Sequence, residues 1–158
     1  MLVNNIKRAL VLGRGGAGKS TFSRELGKVL DIPVIELDKY FWKPDLSPLN
    51  NEEWIQLQKK LAKKERWIMD GDLGKYDVLS ERIKDADTII ILSFPLWICL
   101  KRALGRSNER FDFWWWLITW KINELPKIKN TINRYAVNAK IVLLKNQRDA
   151  DNFLSELP

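Results

Sequence analysis

The chain has 158 residues, 46% hydrophobic and 30% charged, a size and balance that suit one domain with a real core and argue against disorder. It has no histidine and a single cysteine, Cys99, which excludes Ser-His-Asp and Cys-His catalysis, an internal disulfide and most transition-metal sites. The net charge of +7 suits DNA, anionic lipid or phosphorylated metabolites, and no apolar run approaches the roughly 18 residues of a membrane span.

The opening MLVNNIKRALVLG lacks the longer apolar core and cleavage site of a secretory signal, so the expected compartment is the cytoplasm, with no membrane partner. Within Ile6 to Leu12 the half ALVL reads as a buried strand bounded by Gly13. From Gly18 onward Phe22, Leu26, Val29 and Leu30 recur at helical spacing, and Asp31-Ile32-Pro33 ends that helix. Residues 33–38 (PVIELD) read as a second strand with carboxylates at its C-terminal end, followed by a loop over 39–50. Asn50 and Glu53 form a capping box for a helix whose inner face carries Trp54, Leu57 and Leu61. Its basic run KKLAKKER (59–66) reads as a solvated helix face.

Trp67 to Asp70 is a third strand stopped by Gly71. Thr88 to Ser93 is the clearest strand, apolar on both faces as in the middle of a parallel sheet. Pro95 opens a helix with Leu96, Cys99, Leu100 and Ala103 towards the core. Residues 107–138 hold an aromatic helix, FDFWWWLITW, and a separate polar helix after Pro126. Ile141 to Leu144 is the last strand, and Asn146 with Asp149 caps a terminal helix carrying Phe153 and Leu154. Strands alternating with helices predict an α/β fold, a parallel sheet covered on both faces.

Residues 13–20, GRGGAGKS, match G-x-x-x-x-G-K-[ST], the Walker A phosphate loop, between a strand and a helix as its mechanism requires. Glycines let backbone N–H groups turn inward around phosphate oxygens, and the helix starting at Gly18 adds its positive end. Lys19 would reach the β and γ phosphates, and the Ser20 hydroxyl would ligate Mg²⁺. The pattern implies a nucleoside triphosphate, ATP or GTP, with Mg²⁺. It is silent on what receives the phosphoryl group.

Four further stretches extend the pattern: ELD (36–38) with FWKP (41–44), RWIMDGD (66–72), SFPLWICLKR (93–102) and IVLLKNQR (141–148). In this order the chain resembles the adenylate-kinase-like P-loop proteins often labelled topology modulation proteins. More broadly it is similar to nucleoside monophosphate kinases and to shikimate and gluconate kinases. The resemblance implies a three-layer P-loop fold over one domain, residues 1–158, with a five-stranded parallel sheet in order 2-3-1-4-5. It implies an acceptor-binding segment over about 39–66 and a reduced lid and helical segment over about 106–138. Asp70, with Gly71, stands where such kinases hold Mg²⁺ through water. KRALGR (101–106) resembles the lid hinge, whose two arginines carry over to Arg102 and Arg106. The loop around Asn146 to Arg148 would lie by the base.

The nucleotide-side set is therefore Gly13, Arg14, Gly15, Gly16, Ala17, Gly18, Lys19, Ser20 and Thr21, with Arg102 and Arg148. Lys19, Arg102 and Arg106 would neutralise developing charge, for which the planar arginine fork suits phosphate oxygens. The competing reading of Arg102 and Arg106 is a solvated helix end. The acceptor-side set is Glu36, Asp38, Trp42, Asp70, Gly71 and Arg110. Asp38 could take a proton from an acceptor hydroxyl or simply cap a nearby backbone group. A phosphate acceptor needs no such base, so the carboxylates lean towards a hydroxyl-bearing molecule. The lid departs from the family: only Ser107 to Asp112 precede three tryptophans, and Arg110 stands in as a lid arginine. Trp114, Trp115, Trp116 and Trp120 cannot all face one core.

The leading expectation is a Mg²⁺-dependent phosphotransferase acting on a nucleotide, nucleoside or small hydroxylated acceptor, as monomer or homodimer. A nucleotide-dependent DNA-binding regulator, suggested by the +7 charge and the family label, stands second. A nucleotide-binding protein without efficient catalysis stands third.

Overall fold

The five apolar runs form five strands: β1 (Arg8–Gly13), β2 (Val34–Glu36), β3 (Trp67–Asp70), β4 (Thr88–Leu92) and β5 (Lys140–Leu144). The computed structural model describes residues 5–72, 77–105 and 111–158. Within them the strands build one parallel sheet in the order β2-β3-β1-β4-β5. Val11 pairs in register with Asp70 and Ile90, and Glu36 pairs with Asp70. β2 and β3 therefore finish level and β1 runs two residues further, which brings Gly13, Glu36 and Asp70 to one end of the sheet, where open α/β sheets bind ligands.

Alternate residues point to opposite faces. Leu10, Leu12, Met69, Ile89 and Ile91 pack under α3 (Asn51–Ala62), α4 (Ser80–Ile83) and α6 (Phe111–Tyr135). Ala9, Val11, Ile68, Ile90 and Leu92 pack under α1 (Lys19–Leu30), α5 (Leu96–Leu104) and α7 (Gln147–Ser155). Each fully buried Leu, Ile or Phe is worth about 1.5–3 kcal/mol, so both faces hold the sheet. On the edge strand β5, Ile141 and Leu143 remain about half exposed. Among the described residues no helix is long and apolar enough to cross a membrane.

The helix ends follow local chemistry. α1 stops because Asp31 turns left-handed (φ 50°), and the N–H groups of Asp31 and Ile32 both donate to the Gly27 carbonyl. The capping box of α3 is complete: Glu53 N–H donates to Asn50 Oδ1 (2.8 Å) and Asn50 N–H to Glu53 Oε2 (2.9 Å). Asp149 N–H donates to Asn146 Oδ1 (2.9 Å) at the start of α7.

Two expectations are corrected. β2 ends at Glu36 instead of Asp38, and α2 (Leu37–Phe41) occupies the start of the expected loop. Leu37 and Phe41, four apart, are both buried, and Asp38 sits in the first turn, where the helix dipole favours a carboxylate. The two helices expected on either side of Pro126 are one helix, α6, with the proline inside it. Leu117 and Trp120 before Pro126, and Leu125, Ile128 and Ile132 around and after it, keep one buried face. Packing of that face outweighs the roughly 3 kcal/mol an interior proline costs.

Candidate active site

β1 and α1 are joined by a turn that only a side-chain-poor segment can make. Gly16 has φ 74°, and a Cβ there would overlap the Cys99 carbonyl at the start of α5. Gly18, also left-handed, is the N-cap of α1 and has no side chain to cap it. The first amides of α1 thus lack helical acceptors, and no acidic residue stands in the first turn. The Lys19 ammonium donates to the carbonyls of Gly13 (2.9 Å) and Arg14 (3.2 Å), which holds the loop in shape.

Two more cations gather here. Arg14 is only 5% exposed, and its Nε is buried without a hydrogen-bond partner. Arg102 Nη1 donates to the Ala17 carbonyl (3.2 Å), Nη2 donates to Gln147 Oε1 (3.1 Å), and its guanidinium lies over the Phe94 ring. Burial pushes the nearby Cys99 thiol up, against the opposing fields of Arg14, Lys19 and Arg102. Cys99 is therefore a packed thiol beneath a positive loop, with no character of a nucleophile.

The other side of the cleft is acidic. Asp70, at the end of β3, is 4% exposed. Burial raises its carboxyl above the usual range, while the Ser20 hydroxyl and Lys19 pull it down. Asp38 stands on the rim on α2. Desolvation raises its carboxyl, opposed by Lys19 and reinforced by Asp70, Asp77 and Glu36. Glu36 pairs with the surface cations Lys39 (3.0 Å) and Arg24 (3.7 Å).

Beneath this rim lies Arg82, fully buried on α4. Its fork donates to both Asp77 oxygens (2.6 and 2.8 Å), to Gln58 Oε1 (2.6 Å) and to the Gly71 carbonyl (3.1 Å). Above the loop the rings of Phe113 and Trp116 lie so close to Gly15 that an added methyl would meet them at 2.9–3.0 Å. Trp116 is also 6.0 Å from the Lys19 ammonium, and Trp120 Nε1 donates to Asp72 (3.0 Å).

The structure thus brings together Gly13 to Ser20, Asp38, Asp70 and Arg102. Thr21 is exposed on the first turn of α1, and Gly71 is buried with its carbonyl on Arg82. Trp42 is 41% exposed and packs edge-on against Phe41, at the outer rim. Arg148 is exposed on α7; its neighbour Gln147 is the residue that reaches Arg102. Arg106 and Arg110 lie outside the described residues, as does the start of the expected lid. Sequence reasoning missed Arg82, Asp77 and Gln58, whose polar surroundings in the sequence resemble a solvated surface. It also missed the placement of Trp116 on the loop, for which the only clue is the crowding of tryptophans.

The fold recurs in known structures. Shikimate kinase from Acinetobacter baumannii in complex with shikimate superposes with a TM-score of 0.63 at 16% identity, over 96% of this chain and 90% of that one. The chain has the P-loop kinase fold. Deoxyadenosine kinase from M. mycoides matches with a TM-score of 0.55 at 16% identity, over 93% of this chain and 94% of that one. At such identities the likeness is one of fold. In sequence, the uncharacterized protein YqaC of Bacillus subtilis is 30% identical over 108 residues, 66% of this chain. That match spans 59% of the relative's length. No family model matches the chain.

Proposed function

We propose that the chain is a phosphotransferase that moves the γ-phosphoryl of ATP or GTP to a small hydroxyl-bearing acceptor. The observation that carries this reading is the uncapped, side-chain-poor loop before α1, with Lys19 and Arg102 on one side and Asp38 and Asp70 across from it. The structural neighbours, kinases of shikimate and deoxyadenosine by name, support a small acceptor.

The residues fit a triphosphate. The open amides at the start of α1, the buried Arg14 Nε without an acceptor and the cations Lys19 and Arg102 all seek anionic oxygens. They also fit Mg²⁺, which takes oxygen donors and uses one or two carboxylates beside substrate phosphates. Ser20 and Asp70 supply a hydroxyl and a carboxylate side by side. Among the described residues no cluster of three acidic or cysteine ligands exists, which suits a metal shared with phosphates better than a protein cage. When bound, the ion would neutralise charge on the phosphate oxygens.

The chain's own residues do the rest. The loop amides fix the phosphates in place. Lys19 exchanges its two loop carbonyls for phosphate oxygens, and Arg102 stays anchored to Ala17 and Gln147 while its charge faces the donor. Asp38, its carboxyl raised above the usual range by desolvation, accepts the acceptor's proton. Trp116 and Phe113 over Gly15 exclude water from the loop.

Calorimetric titration of ATP and GTP with and without Mg²⁺ tests the reading. Mg²⁺-dependent binding is expected, lost in Lys19→Ala while its circular dichroism stays that of the parent. Absence of binding by either nucleotide would end the proposal.

A further inference from the structure

α6 carries more apolar surface than its own fold uses. Its buried face is Leu117, Trp120, Leu125, Ile128 and Ile132. A second stripe runs along the other side of its first half: Phe111, Trp115, Ile118 and Ile122, spaced four, three and four residues apart. These four side chains are between 47% and 84% exposed. At 3.6 residues per turn they share one narrow sector of the helix, turned away from Trp120. A solvated helix face carries polar residues in such a sector, whereas an apolar repeat of four and three is the seam of a helix pair. The crowding of tryptophans divides accordingly. Trp120 enters the core, Trp116 covers the phosphate loop, and Trp115 points outward.

The order of residues along the stripe says what fits it. Both aromatic residues come first and both isoleucines last. A second copy laid antiparallel about a two-fold axis sets Phe111 against Ile122 and Trp115 against Ile118. Each large ring then meets a smaller side chain, so one patch is complementary to itself, as a two-fold interface requires. A parallel pair would stack ring on ring at one end. It would also bring two copies of Lys129, the next heptad position after Ile122, against each other. An aromatic side chain offers about 150–250 Å², and the four exposed side chains together offer roughly 500 Å². Two copies would bury roughly 1,000 Å², the lower limit for a specific interface, which suits a dimer that dissociates on dilution.

We propose that the exposed stripe of Phe111, Trp115, Ile118 and Ile122 is a docking surface for a second copy of this chain, which forms a two-fold dimer through antiparallel α6 helices. The proposal goes beyond the phosphotransferase reading and does not rest on it. The inner side of the same turns holds Phe113 and Trp116 against Gly15, so the seam backs the rings that cover the phosphate loop.

The test is sedimentation velocity on the full chain from about 1 to about 300 μM, the range that a seam of this area calls for. A monomer that becomes a dimer with rising concentration is expected. Raising salt should hold or strengthen it, because two chains of charge +7 repel each other and salt screens that repulsion. Trp115→Glu and Ile118→Glu, both at exposed positions, should each weaken association by at least about thirtyfold with unchanged circular dichroism. Ile141→Lys, on the half-exposed edge strand β5, should leave it unchanged. Orientation is read by copper-phenanthroline oxidation. Positions 111 and 122 lie about 16 Å apart along one helix, too far for a disulfide within the chain. The double variant Phe111→Cys/Ile122→Cys should therefore yield a covalent dimer, while neither single cysteine variant does. A protein that stays monomeric over the whole range overturns the proposal, including one that instead binds phosphatidylserine vesicles through the stripe. A dimer that survives both glutamate variants, or is lost in a folded Ile141→Lys, also overturns it. Efficient cross-linking of a single variant would overturn the antiparallel arrangement.

Discussion

Arg82→Met is the sharpest test of how the acceptor side is built. The wild-type guanidinium, with no exposed surface, satisfies four acceptor atoms: Asp77 Oδ1 and Oδ2, Gln58 Oε1 and the Gly71 carbonyl. Met fills similar volume but leaves the Asp77 carboxylate, 8% exposed, as an uncompensated charge. Removing one partner of such a pair costs about 3–5 kcal/mol. That is a large part of the roughly 5–15 kcal/mol a domain has, and at about 2–4 °C per kcal/mol the melting temperature should fall by about 6–20 °C. The double variant Arg82→Met/Asp77→Leu removes both charges and strands only Gln58 Oε1 and the Gly71 carbonyl, at about 1–3 kcal/mol each, so it should recover part of the loss. Urea unfolding of the wild type, both single variants and the double variant closes the cycle. A single Arg82→Met variant within 1 kcal/mol of wild type, about the spread of a neutral substitution, would refute the reasoning. So would a double variant as unstable as the single.

Three further outcomes are expected. Because Asp38 is raised in the folded state, its native carboxyl holds a proton more tightly than the unfolded one, so its own contribution to stability, small for an exposed side chain, is greatest at acid pH and is lost as pH rises through the folded value. Asp38→Asn should therefore stabilise the fold at pH 7 more than at pH 3, yet slow transfer by about 10²–10⁴-fold; a loss of stability at pH 7 would contradict the assignment. Ser20→Ala should weaken Mg²⁺-dependent nucleotide affinity by more than about tenfold while leaving metal-free affinity unchanged, since even indirect metal partners are worth about 10–100-fold; equal loss with and without Mg²⁺ would count against Ser20 as a ligand. Pro126→Ala restores an N–H donor for the Ile122 carbonyl inside α6 and should add about 1–3 kcal/mol, seen as a higher urea midpoint. No gain there would mean that α6 depends on the proline.

What was legible in the sequence was local. The spacing of glycines, Lys19 and Ser20 dictates a loop before a helix, the apolar runs dictate strands, and Asn50 with Glu53 dictates a helix start. The sheet order was legible through family resemblance, since periodicity alone does not order strands. What was hidden depends on contacts distant in sequence. α2 exists because Leu37 and Phe41 find a core made by α3, which no five-residue window reveals. α6 runs through Pro126 because its buried face is continuous in space. Arg82 and Gln58 look like surface residues until burial closes over them, and Gln147 takes the contact with Arg102 by a one-residue offset from Arg148.

The loop that follows β1 leans on β4 and α5 through backbone contacts with Leu92 and Cys99, whereas the acidic rim hangs from α2, β3 and the Asp77–Arg82 segment. The two halves of the cleft are therefore separate stretches of chain with separate supports. A lineage carrying this architecture can drift in one half without disturbing the other. On the proposed reading, new acceptors become accessible through a few changes on the rim, while the loop after β1, hemmed in by main-chain atoms, stays constant.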